Sequence, residues 1–451
     1  MKERSVFTSK LGFVLAAAGS AVGLGNIWRF PYLAAQYGGG SFLLVYIILA
    51  VTFGFTLMIA EIGLGRKTKQ SAIGAYKKLN KKYGFEGVLT AAVPIIIFPY
   101  YAVITGWVLK YTVAFIMGDN IAASKDGYFG AFITETWEPL FWFMFCMVLV
   151  LLVITAGVVK GIEKISKILM PVLVLLMILV AVFVCTAPGA MSGVKYYLVP
   201  NFEHFSAKTL LAAVGQLFYS LSLAMGIMIT YGSYMKDEDS LEGSVRQIEF
   251  FDTLIAVLAG LMIIPSVFAF SGGDEAVLSS GPSLMFVTLP KAFASMHGGR
   301  WIGIAFFVMV FLAAMTSAIS LMEAVTSIFM DKFHISRLRA AGITGAYSVV
   351  LGGIASLGYG PLANFKVLGM QALDLMDFVS NSVLMPVVAI VTCFFVGYVI
   401  KPEAIIEEVE KNGETFKGKK MFVFIIKYVA PWFILAVFIS SVAQALGFFK
   451  L

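Results

Sequence analysis

The sequence predicts an all-α protein that crosses a membrane many times, and three observations carry the prediction. Sixty per cent of the 451 residues are hydrophobic against 13% charged, with a mean hydropathy of +0.91. A soluble chain of this length has too little interior for that much apolar surface. Apolar windows of about 18 residues or more, the length that crosses a bilayer as a helix, recur along the whole chain. They run without apolar–polar alternation, which argues against a β-barrel.

Taken in order, eleven spans are expected: roughly 11–36, 41–65, 87–117, 138–158, 165–186, 208–235, 248–270, 300–330, 340–358, 371–400 and 424–447. The first follows a basic stretch, MKERSVFTSK, as a secretory leader would. It runs on through Asn26, Arg29 and Pro31 without a small-residue cleavage site, so it reads as a span. Lysine and arginine set the orientation. Connections on the N-terminal side hold 24 of the 33 basic residues, among them Lys2, Arg4, Lys10 and 66-RKTK-69. Those on the other side hold six: Lys125, Lys195, Lys208, Lys291, Arg300 and Lys366. The expectation is a multi-pass protein of the plasma (inner) membrane, N-terminus cytoplasmic and C-terminus extracellular. The net charge of +7 then belongs to the inner membrane face, and no nucleic-acid partner is needed. Segment 401–420 reads as a polar, helix-prone cytoplasmic connection, and 272–298, with Pro282 and Pro290, as a hairpin over the outer face.

Chemistry of the enzymatic kind is missing from the pattern. Cys146, Cys185 and Cys393 sit far apart in apolar spans, and His204, His297 and His334 form no cluster. There is no phosphate loop, nucleophile elbow or H-E-x-x-H. An enzyme is not expected.

What does stand out is 19-GSAVGLGNIWRFPY-32, in the middle of the first span. Its glycines loosen a helix where lipid offers no hydrogen bonds, and its asparagine and arginine are costly there. Membrane proteins built from inverted repeats break helices near the bilayer centre, at matching positions in two halves, where solute and ions bind. Span six, 214-VGQLFYSLSLAMGIMITYGSY-234, is the matching candidate five spans later, with Ser220, Ser222 and Gly226 at its middle. Small residues for close helix packing are the alternative, and a lone G-x-G favours it. Asn26, Arg29 and a second broken span favour a site. Freed amides attract a carboxylate and freed carbonyls a cation.

Ionisable residues inside spans are Arg29, Glu61, Asp252, Glu323 and Asp377. By topology Arg29 and Asp377 lie toward the outer side, while Asp331 lies at the inner end of span eight near the level of Arg4. That makes one candidate ion pair for each face. In 313-AAMTSAISL-321, Ala313, Thr316 and Ser317 share one helical face, giving hard oxygen ligands for a small cation. Hydroxyls bonding back to their own helix are the alternative.

Together these residues resemble the neurotransmitter:sodium symporter family, in its bacterial eleven-span amino-acid branch. The stretch GSAVGLGNIWRFPY carries the resemblance, reinforced by 38-GGGSF-42, 215-GQLFYSLSLAMG-226 and 374-DLMDF-378. The resemblance implies one transporter domain over 1–451 with a LeuT-like five-plus-five inverted repeat. Its parts are a cytoplasmic N-terminus (1–10), a first repeat (11–186), a second repeat (208–400) and span eleven (424–447). Spans one and six would be unwound at mid-membrane. It implies two co-transported sodium ions, the first at Ala21, Asn26, Ser220 and Asp252, the second at Gly19, Val22, Ala313, Thr316 and Ser317. The solute carboxylate would meet Gly23, Gly25 and Tyr101, and its amino group Ala21, Tyr219 and Ser222. Ile97, Tyr219, Ser220, Ser222, Met225, Ser317, Ser320 and Leu321 would complete the pocket. Arg29 with Asp377 and Gln216 would form the outer gate, and Arg4 with Asp331 and Tyr234 the inner one. Glu61 would steady the unwound part of span six. Gly161 and Pro171 would mark a span-five helix able to unwind at its inner end.

Three departures bear on this reading. Phe7 stands where tryptophan is usual in the family. Asp252 stands where animal members have asparagine and need chloride, so no chloride requirement is expected. Glu323 replaces a glutamine of some bacterial relatives, which leaves proton coupling open. The expectation is sodium-coupled import of a neutral, aliphatic or aromatic L-amino acid. The alternatives are a proton-coupled or other-solute transporter on the same fold, and a non-transporting amino-acid sensor. Monomer and homodimer both remain open.

Overall fold

The computed structural model describes residues 5–271 and 283–445, and among them the chain is helical apart from two isolated bridges, Gly39 with Pro200 and Val367 with Met370. Eight helices are long and apolar enough to cross a membrane. They are Gly40–Thr68, Lys81–Met117, Trp137–Cys185, Leu241–Ser271, Gly299–Phe333, Arg337–Leu357, Ala372–Val399 and Lys419–Gln444. A ninth span is made by the pair Lys10–Ala21 and Gly25–Gln36, bent by 54°.

The difference from eleven lies in two places. Trp137–Cys185 is one apolar run where two spans were expected. Gly157 interrupts it with φ 92° and ψ −178°, a conformation open essentially to glycine alone. A Cβ on Gly161 would lie 2.1 Å from the Val153 carbonyl oxygen, an approach across eight residues that a straight helix could not make. The chain therefore turns back on itself here. The second place is span six, whose halves Ala207–Ser220 and Ile227–Ser233 are each too short to count.

Burial sorts the helices. Lys81–Met117 and Gly299–Phe333 have 72% and 67% of their apolar windows buried, whereas Trp137–Cys185 and Lys419–Gln444 have 33% each. The first two form the core. The others turn Phe141, Leu152, Val182 and Trp432 outward, as helices against lipid do. Lys10–Ala21, capped by the Ser9 hydroxyl accepting the Gly12 N–H at 3.1 Å, is enclosed by Leu241–Ser271, Gly299–Phe333 and Lys164–Cys185. Ile227–Ser233 packs along Phe55–Thr68.

Segment 401–420 is less of a free connection than its polarity suggested. Its helix Glu403–Val409 docks on Phe55–Thr68, where buried Arg66 donates from Nε to Glu408 at 2.8 Å. Of the expected outer hairpin, 284–295 forms a helix (Leu284–Ser295), while 272–282 lie outside the described residues, as does Arg4.

Candidate functional site

In span one the break falls at glycines where a side chain would not fit. A Cβ on Gly23 would stand 2.6 Å from Ser317 Oγ and 3.0 Å from the Tyr101 hydroxyl. One on Gly25 would stand 2.3 Å from the Tyr219 ring. In span six the chain unwinds over 221–226, with Ser222 (φ 52°), Ala224 (φ 59°) and Gly226 (φ 69°) left-handed. For the two non-glycine residues that conformation costs about 1–2 kcal/mol each. Two hydrogen bonds oppose the cost: the Ser222 hydroxyl donates to the Ser20 carbonyl at 3.0 Å, and the Ala224 N–H donates to Glu61 Oε1 at 2.6 Å. The second contact places Glu61 against unwound span six, where the resemblance had put it.

Asn26, Ser220 and Asp252 converge behind the first break. Ser220 Oγ donates to Asp252 Oδ1 at 2.6 Å, and Asn26 Nδ2 lies 2.7 Å from the same oxygen and 2.8 Å from Ser220. The Tyr46 hydroxyl donates to Asp252 Oδ2 at 2.8 Å. All four residues are buried, and the carboxylate has no basic partner among them. Asn26 turns its nitrogen to this cluster and its oxygen to the Gly23 N–H, so ligating a cation through Oδ1 requires the amide to turn over.

The second predicted ion site is also drawn together. Ser317 Oγ lies 3.2 Å from the Val22 carbonyl and 3.1 Å from that of Ser20; Thr316 Oγ1 lies 3.0 Å from the Ala313 carbonyl. A Cβ on Gly19 would stand 3.4 Å from Thr316 Cβ. Oxygens about 3 Å apart on two helices can close around a small hard cation. The Thr316 hydroxyl meanwhile bonds back to its own helix, the alternative foreseen for it.

Between the breaks lies a cavity of about 30 Å³. Ala21, Gly23, Gly25, Ile97, Tyr101, Tyr219, Ser222, Met225, Ser317 and Leu321 line it, together with Ser20, Leu24 and Ile227. No charged side chain is among them. The Tyr101 hydroxyl accepts the Leu24 N–H at 3.3 Å, and Gln216 Nε2 donates to the Gly25 carbonyl at 2.9 Å. Ser320 does not reach this cavity: it accepts the Tyr231 hydroxyl at 2.8 Å and donates to the Thr316 carbonyl. Ser220 belongs to the Asp252 cluster.

A vestibule of about 580 Å³ adjoins the cavity, and Tyr219 lines both. Arg29 and Asp377 share the vestibule but are not joined as an ion pair. The Arg29 guanidinium lies over the Tyr219 ring, 5.4 Å from its centroid, while Asp377 accepts from Tyr100 at 3.0 Å and Asn381 at 2.6 Å. At the opposite face Asp331 accepts from the Ser71 N–H (2.8 Å) and hydroxyl (2.6 Å). Its expected partner Arg4 falls outside the described residues. Tyr234 donates to Glu323 at 2.7 Å, and Arg337 pairs with the same carboxylate. Phe7 is buried against Phe13, Tyr231 and Tyr234, so the smaller ring still fills its place. Span five is not unwound at its inner end: Val158–Glu163 winds wider than an α-helix, and Pro171 sits inside continuous Lys164–Cys185. Glu163 there accepts the Thr8 N–H at 2.8 Å, tying the N-terminal segment down.

Sequence reasoning missed Tyr46, Tyr100, Asn381 and Arg337. Tyr46 had a signal, a single hydroxyl in the apolar run 42-FLLVYIIL-49, where a buried tyrosine needs a partner. Asn381 lies one helical turn from Asp377 and had a similar one. Arg337 had none, because it counted as an ordinary positive charge of an inner connection.

Fold and site together define a sodium-coupled membrane transporter. The chain belongs to the sodium:neurotransmitter symporter family, whose model matches residues 4–122 and 132–448. Similar proteins include an uncharacterised sodium-dependent transporter of Bacillus subtilis, YhdH, 34% identical over 97% of both chains. Another, from Haemophilus influenzae, is 33% identical over 98% of both. Among solved structures, that of MhsT in complex with L-phenylalanine superposes with a TM-score of 0.87 at 37% identity, covering 97% of this chain and 100% of that one.

Proposed function

We propose that this protein imports a neutral, hydrophobic L-amino acid together with two sodium ions, without chloride, across a plasma membrane in which its N-terminal face is cytoplasmic. The observation that carries the reading is the cavity between the two helix breaks. Its lining combines the loosened backbone and hydroxyls of the two breaks, with Tyr101 and Ser317, and the apolar side chains of Ile97, Met225 and Leu321. A zwitterion can be held by the first set and an uncharged side chain by the second; a charged side chain would be stripped of water with nothing to replace it. The flexible Met225 lets the apolar lining adapt to aliphatic and aromatic shapes. At about 30 Å³ the cavity holds only about two waters, so an amino acid enters by displacing the Tyr219 ring. Asp252 supplies the negative charge that two cations and a zwitterion require, which supports independence from chloride. The bound L-phenylalanine of MhsT agrees with the substrate class.

Uptake by the purified protein in liposomes tests the reading, with each amino acid competing against labelled leucine under an inward sodium gradient. Hydrophobic amino acids should compete, and replacing sodium by choline should abolish uptake. Preferred binding of glutamate or lysine, equal uptake in choline, or binding with no transport would each overturn it.

A further inference from the structure

Among the described residues, two of the buried carboxylates outside this site make no ion pair and share common neighbours. Glu61, in Gly40–Thr68, is 4% exposed, and Glu86, at the start of Lys81–Met117, is fully buried. Glu61 accepts the Ala224 N–H through Oε1 and leaves Oε2 without a partner. Glu86 accepts the Thr392 hydroxyl through Oε1 at a long 3.4 Å and likewise leaves Oε2 without one. Glu86 feels the charge of Glu61. Tyr76 feels both, and its hydroxyl is 2.7 Å from that of Thr392. The other titratable group facing them is Cys393, beside Glu61. No lysine, arginine or histidine among the described residues pairs with either carboxylate.

Two neighbouring anions in apolar surroundings, with one good hydrogen bond between them, are far costlier than one anion and one neutral acid. We propose that Glu61 and Glu86 form a proton-binding site that holds one exchangeable proton, resident on Glu86. The partners decide where it rests. A backbone amide at 2.6 Å favours the charged form of Glu61, whereas Glu86 has only the distant Thr392. Release breaks the Glu86 O–H bond, leaves the electron pair on the carboxylate and passes the proton to water as hydronium. That water is near, since Glu86 follows exposed Lys81 and Lys82 by a few residues. At its other end the pair holds Ala224, in the unwound part of span six. A second negative charge at Glu86 repels Glu61 and loosens that hold, so proton occupancy on the N-terminal face is linked to the hinge.

The test needs no knowledge of the transported solute. In the whole protein reconstituted in liposomes and labelled with carbon-13 glutamate, the infrared spectrum at neutral pH should contain the carbonyl band of a protonated glutamic acid. Glu86→Gln should remove it, and Thr392→Val should shift it. Sodium-driven uptake should vary with the pH on the N-terminal face in the wild type and lose that dependence in Glu86→Gln, with the half-saturating sodium concentration unchanged. A labelled wild type without the band overturns the proposal. So does a band that survives Glu86→Gln in a chain where Glu249, a further buried glutamate, is also replaced by glutamine, or one indifferent to Thr392→Val where Glu86→Gln fails to fold. A pH profile that Glu86→Gln leaves unaltered also overturns it.

Discussion

Replacing Asp252 by asparagine separates charge from shape at the heart of the proposed first ion site. The carboxylate accepts from Ser220 (2.6 Å), Asn26 (2.7 Å) and Tyr46 (2.8 Å). An amide of the same size must present a nitrogen to at least one of these donors. The least disruptive choice points the nitrogen at Tyr46, whose hydroxyl can turn to Ser220, 2.9 Å away. The fold should therefore survive, at the cost of about one hydrogen bond, roughly 1 kcal/mol. The ion loses more, because hydrogen bonds and contacts to a charged group are worth about 1.5–3 kcal/mol. At 1.4 kcal/mol per decade, the sodium needed for half-maximal uptake should rise about 10- to 100-fold. The assay is a sodium titration of amino-acid uptake in liposomes, run once in gluconate and once in chloride. The wild type should give the same curve in both. Asp252→Asn should be strongly impaired in gluconate and partly restored in chloride, which replaces the missing charge. Tyr46→Phe removes a donor and keeps the charge, so it should shift the curve less and ignore chloride. A wild-type sodium curve for Asp252→Asn in gluconate would refute the reasoning, as would a wild type that already depends on chloride.

Other outcomes are equally definite. Gly25→Ala puts a methyl carbon 2.3 Å from the Tyr219 ring; it should cost about 1–3 kcal/mol and lower the melting temperature, and Tyr219→Val in the same chain should recover most of the loss. Thr316→Ala with Ser317→Ala should raise the sodium requirement of uptake in gluconate and chloride alike, since the second site carries no acid; a chloride-dependent shift would contradict that. Arg29→Ala should slow transport more than it weakens equilibrium binding, measured by scintillation proximity, because Arg29 lies over Tyr219 above the cavity and not inside it. Asp237, outside the spans, is held down to about 2 by hydrogen bonds from Lys69 and Lys411. Because the folded value is lowered, its stabilising effect is present above the usual 3.8 and fades as pH falls through about 2; Asp237→Asn should unfold without that dependence.

The membrane-spanning architecture and the polar residues that gather at the two helix breaks were legible in the sequence for one physical reason. Lipid makes polar groups so costly that each one inside a span is conspicuous, as Asn26, Asp252 and the glycines of span one were. What was not legible depends on partners far along the chain. Tyr46 joins Asp252 across 206 residues, and Arg337 meets Glu323 only once the helices pack. The boundary expected between 158 and 165 falls where Gly157 turns the chain, and Lys160, Glu163 and Lys164 marked it in the sequence; the apolar run on either side hides it only from a reading by length and hydropathy. The expected pair of Arg29 and Asp377 shows a further limit. Their shared vestibule follows from topology, but whether they touch depends on a conformation that residue types do not encode.

The unwound stretch 221–226 also has a mechanical meaning. The half that follows it, Ile227–Ser233, is fastened lengthwise to Phe55–Thr68, and the Lys69 ammonium grips the Met235 carbonyl at 2.7 Å just beyond. The half that precedes it packs on the other end of that span, Gly40–Leu49, and on Ala430–Ala445. The stretch is thus a joint whose two halves lean on opposite ends of one continuous helix, Gly40–Thr68. Spectroscopic rulers should be laid accordingly. Probes spanning Arg66 to Tyr234 will register no displacement during a transport cycle, because both ends ride on the same body. Pairs that straddle 221–226 are the ones placed to register a bend at the joint.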